Sequence, residues 1–120
     1  MAVIEYTVQR YDQGKQGVAF LVEWTGVSES DTCRRYIAPA MSDGCFSVDD
    51  AFGGTSVALH GSNAQTDTHF TPLKDIFENT IAISSAAKNQ VAENPLSYKP
   101  VLTGGSGTTI TIRLLLYGRG

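Results

Sequence analysis

Between Tyr98 and Tyr117 the chain writes a β pattern that few other arrangements accommodate. Val101, Leu102 and Thr103 lead into Gly104-Gly105-Ser106-Gly107, after which Ile110, Ile112, Leu114 and Leu116 recur at every second position, with Thr109, Thr111 and Arg113 between them. Side chains of a strand point alternately to its two faces, so this segment has an apolar inner face and a polar outer one. The glycine-rich break predicts a hairpin joining Tyr98–Thr103 to Thr108–Tyr117. Pro100 has no amide hydrogen to donate, which places it at an edge or beside a bulge. A strand pair with one apolar face needs a second layer to cover it. The earlier chain must supply that layer.

It has the material to do so. In order, Ile4, Tyr6 and Val8 alternate with polar residues and predict a strand or extended N-terminal arm over residues 1–12. The polar turn Asp12–Gly17 then leads into a body over residues 13–120. Val18–Thr25 is rich in strand-forming residues, with Val18, Phe20, Val22 and Trp24 on one face and Trp24 expected in the core. Thr32–Ala38, Cys45–Val48, Thr55–His60 and Thr80–Ser84 read as further short strands, separated by loops at Gly26–Asp31, Pro39–Gly44, Asp49–Gly54 and Gly61–Thr68. Leu73, Ile76 and Phe77 have the spacing of one helical turn, which Pro72 can begin. Ser85–Asn94 fits a helix or a strand equally well. Roughly eight short strands with Gly or Pro between them indicate an all-β single domain, a β-sandwich or jelly-roll-like fold.

Composition limits the partners. A chain of 120 residues buries roughly two thirds of its unfolded surface and needs no covalent staple. Only 18% of residues are charged, which points to a surface partly covered by other molecules. The formal charge of -3 offers no basic patch, so neither nucleic acid nor an anionic membrane is an expected ligand. Met1–Arg10 has no basic, apolar leader pattern, and the expectation is a chain made in a cytoplasm with Cys33 and Cys45 as free thiols.

Motifs of catalysis and cofactor binding are missing from the pattern. His60, His69, Cys33 and Cys45 are too widely spaced for a structural zinc site, since no two lie closer than nine residues. Asp49-Asp50 lacks the spaced oxygens of a calcium loop. No Gly-x-Ser-x-Gly elbow occurs, and Gly104–Gly107 has no lysine and following helix to make it a phosphate loop. The expectation is a protein with no catalytic residues, no metal and no cofactor. At least one of the adjacent Arg34 and Arg35 should be exposed or paired with a carboxylate, the two readings being a solvated face and an ion pair across a subunit interface.

Gly61-Ser62-Asn63, Thr71-Pro72-Leu73, Glu93-Asn94-Pro95, Tyr98-Lys99-Pro100 and Thr103–Thr109, closing on an aliphatic strand, together resemble the head decoration, or capsid cement, proteins of tailed bacteriophages. The resemblance covers about residues 55–117. The chain departs from it in the Gly61–Phe70 loop, where Ala64-Gln65 and Phe70 replace an Asp-Gly and a Trp. It implies a non-enzymatic dimer or trimer on the outside of an assembled icosahedral head, with the major capsid protein and copies of itself as partners. Candidate contacts are Ile4, Tyr6, Val8 and Tyr11 of the arm, Arg34 and Arg35, and Asn63 and Phe70 of the loop. Deleting residues 2–10 is then expected to abolish capsid binding and spare the fold. Two alternatives are another virion part, such as a tail or head-completion protein, and a carbohydrate-binding module with Trp24, Tyr36 or Tyr98 as its platform.

Overall fold

The computed structural model describes residues 2–12, 17–38 and 43–118. Within them every regular element is a strand: β1 (Val3–Ile4), β2 (Thr7–Asp12), β3 (Val18–Val27), β4 (Thr32–Cys33), β5 (Tyr36–Ile37), β6 (Asp43–Ala51), β7 (Ser56–Ser62), β8 (Thr71–Pro72), β9 (Ala82–Ile83), β10 (Ala87–Val91), β11 (Ser97–Thr103) and β12 (Thr109–Gly118). They form an all-β sandwich. One layer has the order β10-β6-β12-β3-β2, the other β5-β11-β7-β8 with β9 also on β7, and β1 pairs β4 in a small parallel ribbon.

The alternation along β12 does what its pattern requires. Ile110, Ile112, Leu114 and Leu116 are fully buried and join Val22 and Trp24 of β3, Phe46 and Val48 of β6, and Val57 and Leu59 of β7 in one core. Each such side chain stabilises the fold by roughly 2 kcal/mol when removed from water. On the outer face, Arg113 donates from Nε to Glu23 Oε2 (2.6 Å) and from Nη1 to Asp49 Oδ2 (2.9 Å), bridging β3, β12 and β6. The register of β3 against β12 shifts between Ile110 and Ile112, which face Val27 and Trp24 respectively. Thr25 and Gly26 therefore share one position opposite Thr111, and Gly26 takes a positive φ of 64°. This bulge turns both Trp24 and Val27 inward and carries the strand past its expected end at Thr25.

The expected hairpin is absent. β11 pairs with β7, and β12 pairs with β3 and β6 in the opposite layer, so Gly104–Gly107 crosses between sheets as an arch. Beside it, residues 52–55 make the reverse crossing from β6 to β7, and the two crossings are stitched together. The Thr55 and Thr108 hydroxyls lie 2.7 Å apart, Thr55 Oγ1 donates to the Gly104 carbonyl, Thr108 Oγ1 donates to the Phe52 carbonyl, and Ser106 N–H donates to the Gly53 carbonyl. A side chain at Gly105 would sit 2.1 Å from Thr55 Oγ1, and one at Gly53 2.2 Å from the Ser106 carbonyl oxygen. Close packing and a positive φ, 57° at Gly53 and 89° at Gly105, both reserve these positions for glycine.

Other expectations change as well. Asp49 and Asp50 belong to β6 rather than to a loop. Thr32–Ala38 breaks at Arg34-Arg35 into β4 and β5, which serve different sheets. The helical turn at 72–77 is replaced by a tight reversal. Asp75 Oδ1 accepts from the amides of Phe77 (2.9 Å) and Asn79 (3.1 Å), and Asp75 N–H donates to the Asn79 carbonyl. An aspartate that binds its own following backbone competes with helix. Leu73 is consequently buried while Ile76 and Phe77 face solvent. Ser85–Asn94 resolves as β10, a strand polar enough to hide its period. Pro100 lies past Tyr98, where β5 ends and β11 becomes an edge. Residues 13–16 and 39–42 of the two expected turns lie outside the described residues.

Candidate interaction surface

The arm is extended and laid against its own body. β1 runs parallel to β4, with Thr32 N–H donating to the Ala2 carbonyl and Arg34 N–H to the Ile4 carbonyl, each at 2.9 Å. Asp31 closes this corner by accepting from Ser28 N–H (2.9 Å) and Ala2 N–H (3.2 Å). Ile4 and Tyr6 are half-buried on the core. The Tyr6 ring meets Trp24 and Tyr36 edge-on, at centroid distances of 6.0 and 5.2 Å. Beneath it Trp24 Nε1 donates to the Arg34 carbonyl at 3.0 Å. Removing residues 2–10 would uncover this aromatic cluster, so the deletion is expected to cost stability as well as surface. Val8 and Tyr11 lie farther along, on β2, and are exposed.

Arg34 and Arg35 divide between two neighbours. Arg34 Nε donates to Glu5 Oε2 at 2.6 Å, and this hydrogen bond raises the guanidinium pKa above its usual value. The carboxylate partner of Arg34 thus lies in the arm of the same chain, an arrangement the sequence reading did not offer. Arg35 reaches the other way and donates to the carbonyls of Thr66 (3.2 Å) and Gln65 (3.1 Å). It clasps the polar loop that follows β7.

That loop is held at several more points. Ser62 Oγ donates to the Thr68 carbonyl at 2.7 Å and accepts from Ala64 N–H. Asn63 Oδ1 accepts from Leu96 N–H at 2.9 Å. Lys99 lies 5.1 Å above the Phe70 ring and 3.5 Å from Asp67 Oδ1. Asp31, His60, Phe70, Lys99 and Leu102 line a hollow of about 340 Å³ beside it. Ile4, Tyr6, Arg34 and Glu5 thus form one group, Arg35, Asn63, Phe70 and Lys99 border the loop, and Val8 and Tyr11 belong to the sheet rim.

Two kinds of surface escape the sequence reading. Ile76 is 50% and Phe77 77% exposed at the Asp75 reversal. The bracketing Asp75 and Asn79 are the signal that would have marked a turn there. Ile37 and Leu96 are also exposed and adjoin one another through the Ala38 N–H to Leu96 carbonyl bond. Conversely, Trp24, Tyr36 and Tyr98 are all buried, so none of the three can serve as a platform for sugar rings.

Burial, reinforced by Asp31, pushes the Cys33 thiol up to about 12, and the thiolate is unavailable near neutrality. Burial and Lys99 lower the pKa of His60. Among the described residues no three His, Cys, Asp or Glu side chains gather to hold a metal ion. Comparison with protein-family models, curated proteins and solved structures finds no match for the chain.

Proposed function

We propose that this chain is a non-enzymatic virion structural protein that docks on the outer surface of an assembled icosahedral bacteriophage capsid and reinforces it. The reading begins from the resemblance of residues 55–117 to head decoration proteins. The observation that carries it further is the pre-ordered loop after β7, an exposed, nearly uncharged segment tied down by Arg35, Ser62 and Asn63. A loop already fixed in one shape loses little conformational entropy on docking, so a small polar contact suffices when many copies bind a repeating lattice. The major capsid protein is the partner this surface is assigned to. The chain would be made in the host cytoplasm and end on the capsid exterior.

Co-sedimentation of the purified chain with emptied heads tests this directly. Saturable binding in many copies per particle is expected, weakened by Arg35→Ala, which frees the loop without altering its exposed side chains. A chain that stays in the supernatant at every head concentration refutes the proposal. Binding in only a few copies would favour a tail or head-completion component.

A further inference from the structure

The four outer strands of the two layers are not equally protected. β5 and β8 are two residues long, and the stretch of β11 that β5 leaves open contains Pro100. The far side of β10 is covered by residues 74–76, where Asp75 bridges Val91, Ile76 N–H donates to the Gln90 carbonyl at 3.2 Å and Ala92 N–H donates to the Lys74 carbonyl at 2.9 Å. β2 differs from all three. It keeps unbroken register with β3 from Thr7 to Asp12, contains no proline, glycine or bulge, and is exposed along its whole length. Among the described residues nothing pairs with its other side. Edges of this length are normally blunted by short strands, proline, charged side chains or a cover, because their free amides and carbonyls recruit another strand; the charges on β2, Arg10 and Asp12, are paired with each other at 3.1 Å.

We infer that β2 is a self-pairing edge, through which two copies of this chain join antiparallel about a two-fold axis and double the five-stranded layer into one continuous sheet. Side-chain chemistry selects the register. An axis through Arg10 sets two guanidinium groups directly opposite one another, which is unfavourable. An axis through Val8 or Tyr11 pairs only three described strand residues from each copy, because Tyr6 turns into its own core on one side and β2 ends at Asp12 on the other. An axis through Gln9 pairs residues 7–11, sets Gln9 against Gln9 and Thr7 against Tyr11, and lays Val8 beside the aliphatic stem of Arg10. No like charges meet. Val8 on one face and Tyr11 on the other, 41% and 47% exposed in the single chain, would each be shielded by the partner strand. The same patch is presented by both copies, as a closed two-fold contact requires. This holds whether or not the chain docks on a capsid.

Gln9 on the axis gives a decisive experiment, run on the full chain alone. Sedimentation velocity over a concentration series should show a monomer–dimer equilibrium for the native sequence. Gln9→Lys and Gln9→Glu each place like charges face to face and should weaken the dimer about three- to tenfold. An equimolar mixture of the two should regain native affinity through Lys–Glu heterodimers. Circular dichroism melts of each variant confirm that the monomer still folds, and recovery in the mixture is itself possible only for folded chains. A native chain that stays monomeric at millimolar concentration or forms trimers, variants that dimerise as well as the native chain, or a mixture no tighter than either variant, overturns the assignment.

Discussion

Ile4 and Tyr6 lie half-buried against the core, whereas Val8 and Tyr11, only a few residues on, stand in solvent along the rim of the sheet. Tyr11 falls on the opposite face, but Ile4, Tyr6 and Val8 belong to one alternating run, and neither composition nor period separates Val8 from the other two. Their surroundings do. Residues 3–6 pass over a corner where Trp24, Tyr36 and Cys33 are already gathered. Residues 7–12 continue β3's layer beyond the reach of the opposite one. Strand period tells which residues share a face; whether that face is covered depends on where the other layer stops.

Three measurements test this contrast. The largest effect should come from Trp24→Ala, which removes the floor under Tyr6 and leaves the Arg34 carbonyl without its indole donor. A loss of about 3–5 kcal/mol in urea unfolding is expected; a loss near that of a surface substitution would show that this corner is not the anchor. Next comes pH. Cys33, register partner of Ile4, has its thiol raised from 9.0 to about 12 by burial. A group raised on folding contributes fully below its unfolded value and loses that contribution as pH climbs towards the folded one. Stability should therefore fall from about pH 9 to pH 12, by on the order of 2 kcal/mol at pH 11 from this thiol alone. Tyr98, raised from 10.0 to about 12 by burial, adds a second decline in the same direction. Cys33→Ala should flatten the first part only, and an unchanged alkaline limb would remove the thiol from the account. The smallest effects form a matched pair: Tyr6→Ala should cost about 1–2 kcal/mol and Tyr11→Ala under about 0.5 kcal/mol at a concentration where the chain is monomeric. Equal losses would erase the distinction between the two halves of the arm.

Much of this fold is visible in the bare residues. β12, β7 and the first part of β3 show their inner faces through alternation, and Trp24 sits where that alternation puts it. The misreadings have identifiable causes. Alternating apolar residues either side of a glycine-rich turn describe a hairpin and an arch equally well; only the partners of β11 and β12, supplied by β7, β3 and β6, decide between them. β10 has too few apolar residues to display a period, since Asn89 and Gln90 stand where a central strand would carry aliphatics. At Leu73–Phe77 a helical spacing was outweighed by one carboxylate, Asp75, that captures the two amides of Phe77 and Asn79. The candidate surface was less legible than the fold. Asn63, Phe70 and the arginines could be singled out by type, but their joint hold on the loop depends on residues some thirty positions apart, such as Arg35 with Gln65 and Asn63 with Leu96.

One consequence follows from the place of β12, which is the last strand in chain order yet lies between β3 and β6. Without β12 that layer would be two unjoined strand pairs, β10-β6 and β3-β2, each with an unpaired edge where β12 belongs. Direct pairing of β3 with β6 would leave no place for Thr109–Gly118, so folding of this layer depends on a segment more than eighty residues from β3 arriving between them. A point change in Ile110–Leu116 would thus be felt twice, first as delayed closure of this layer and only afterwards as a poorer core.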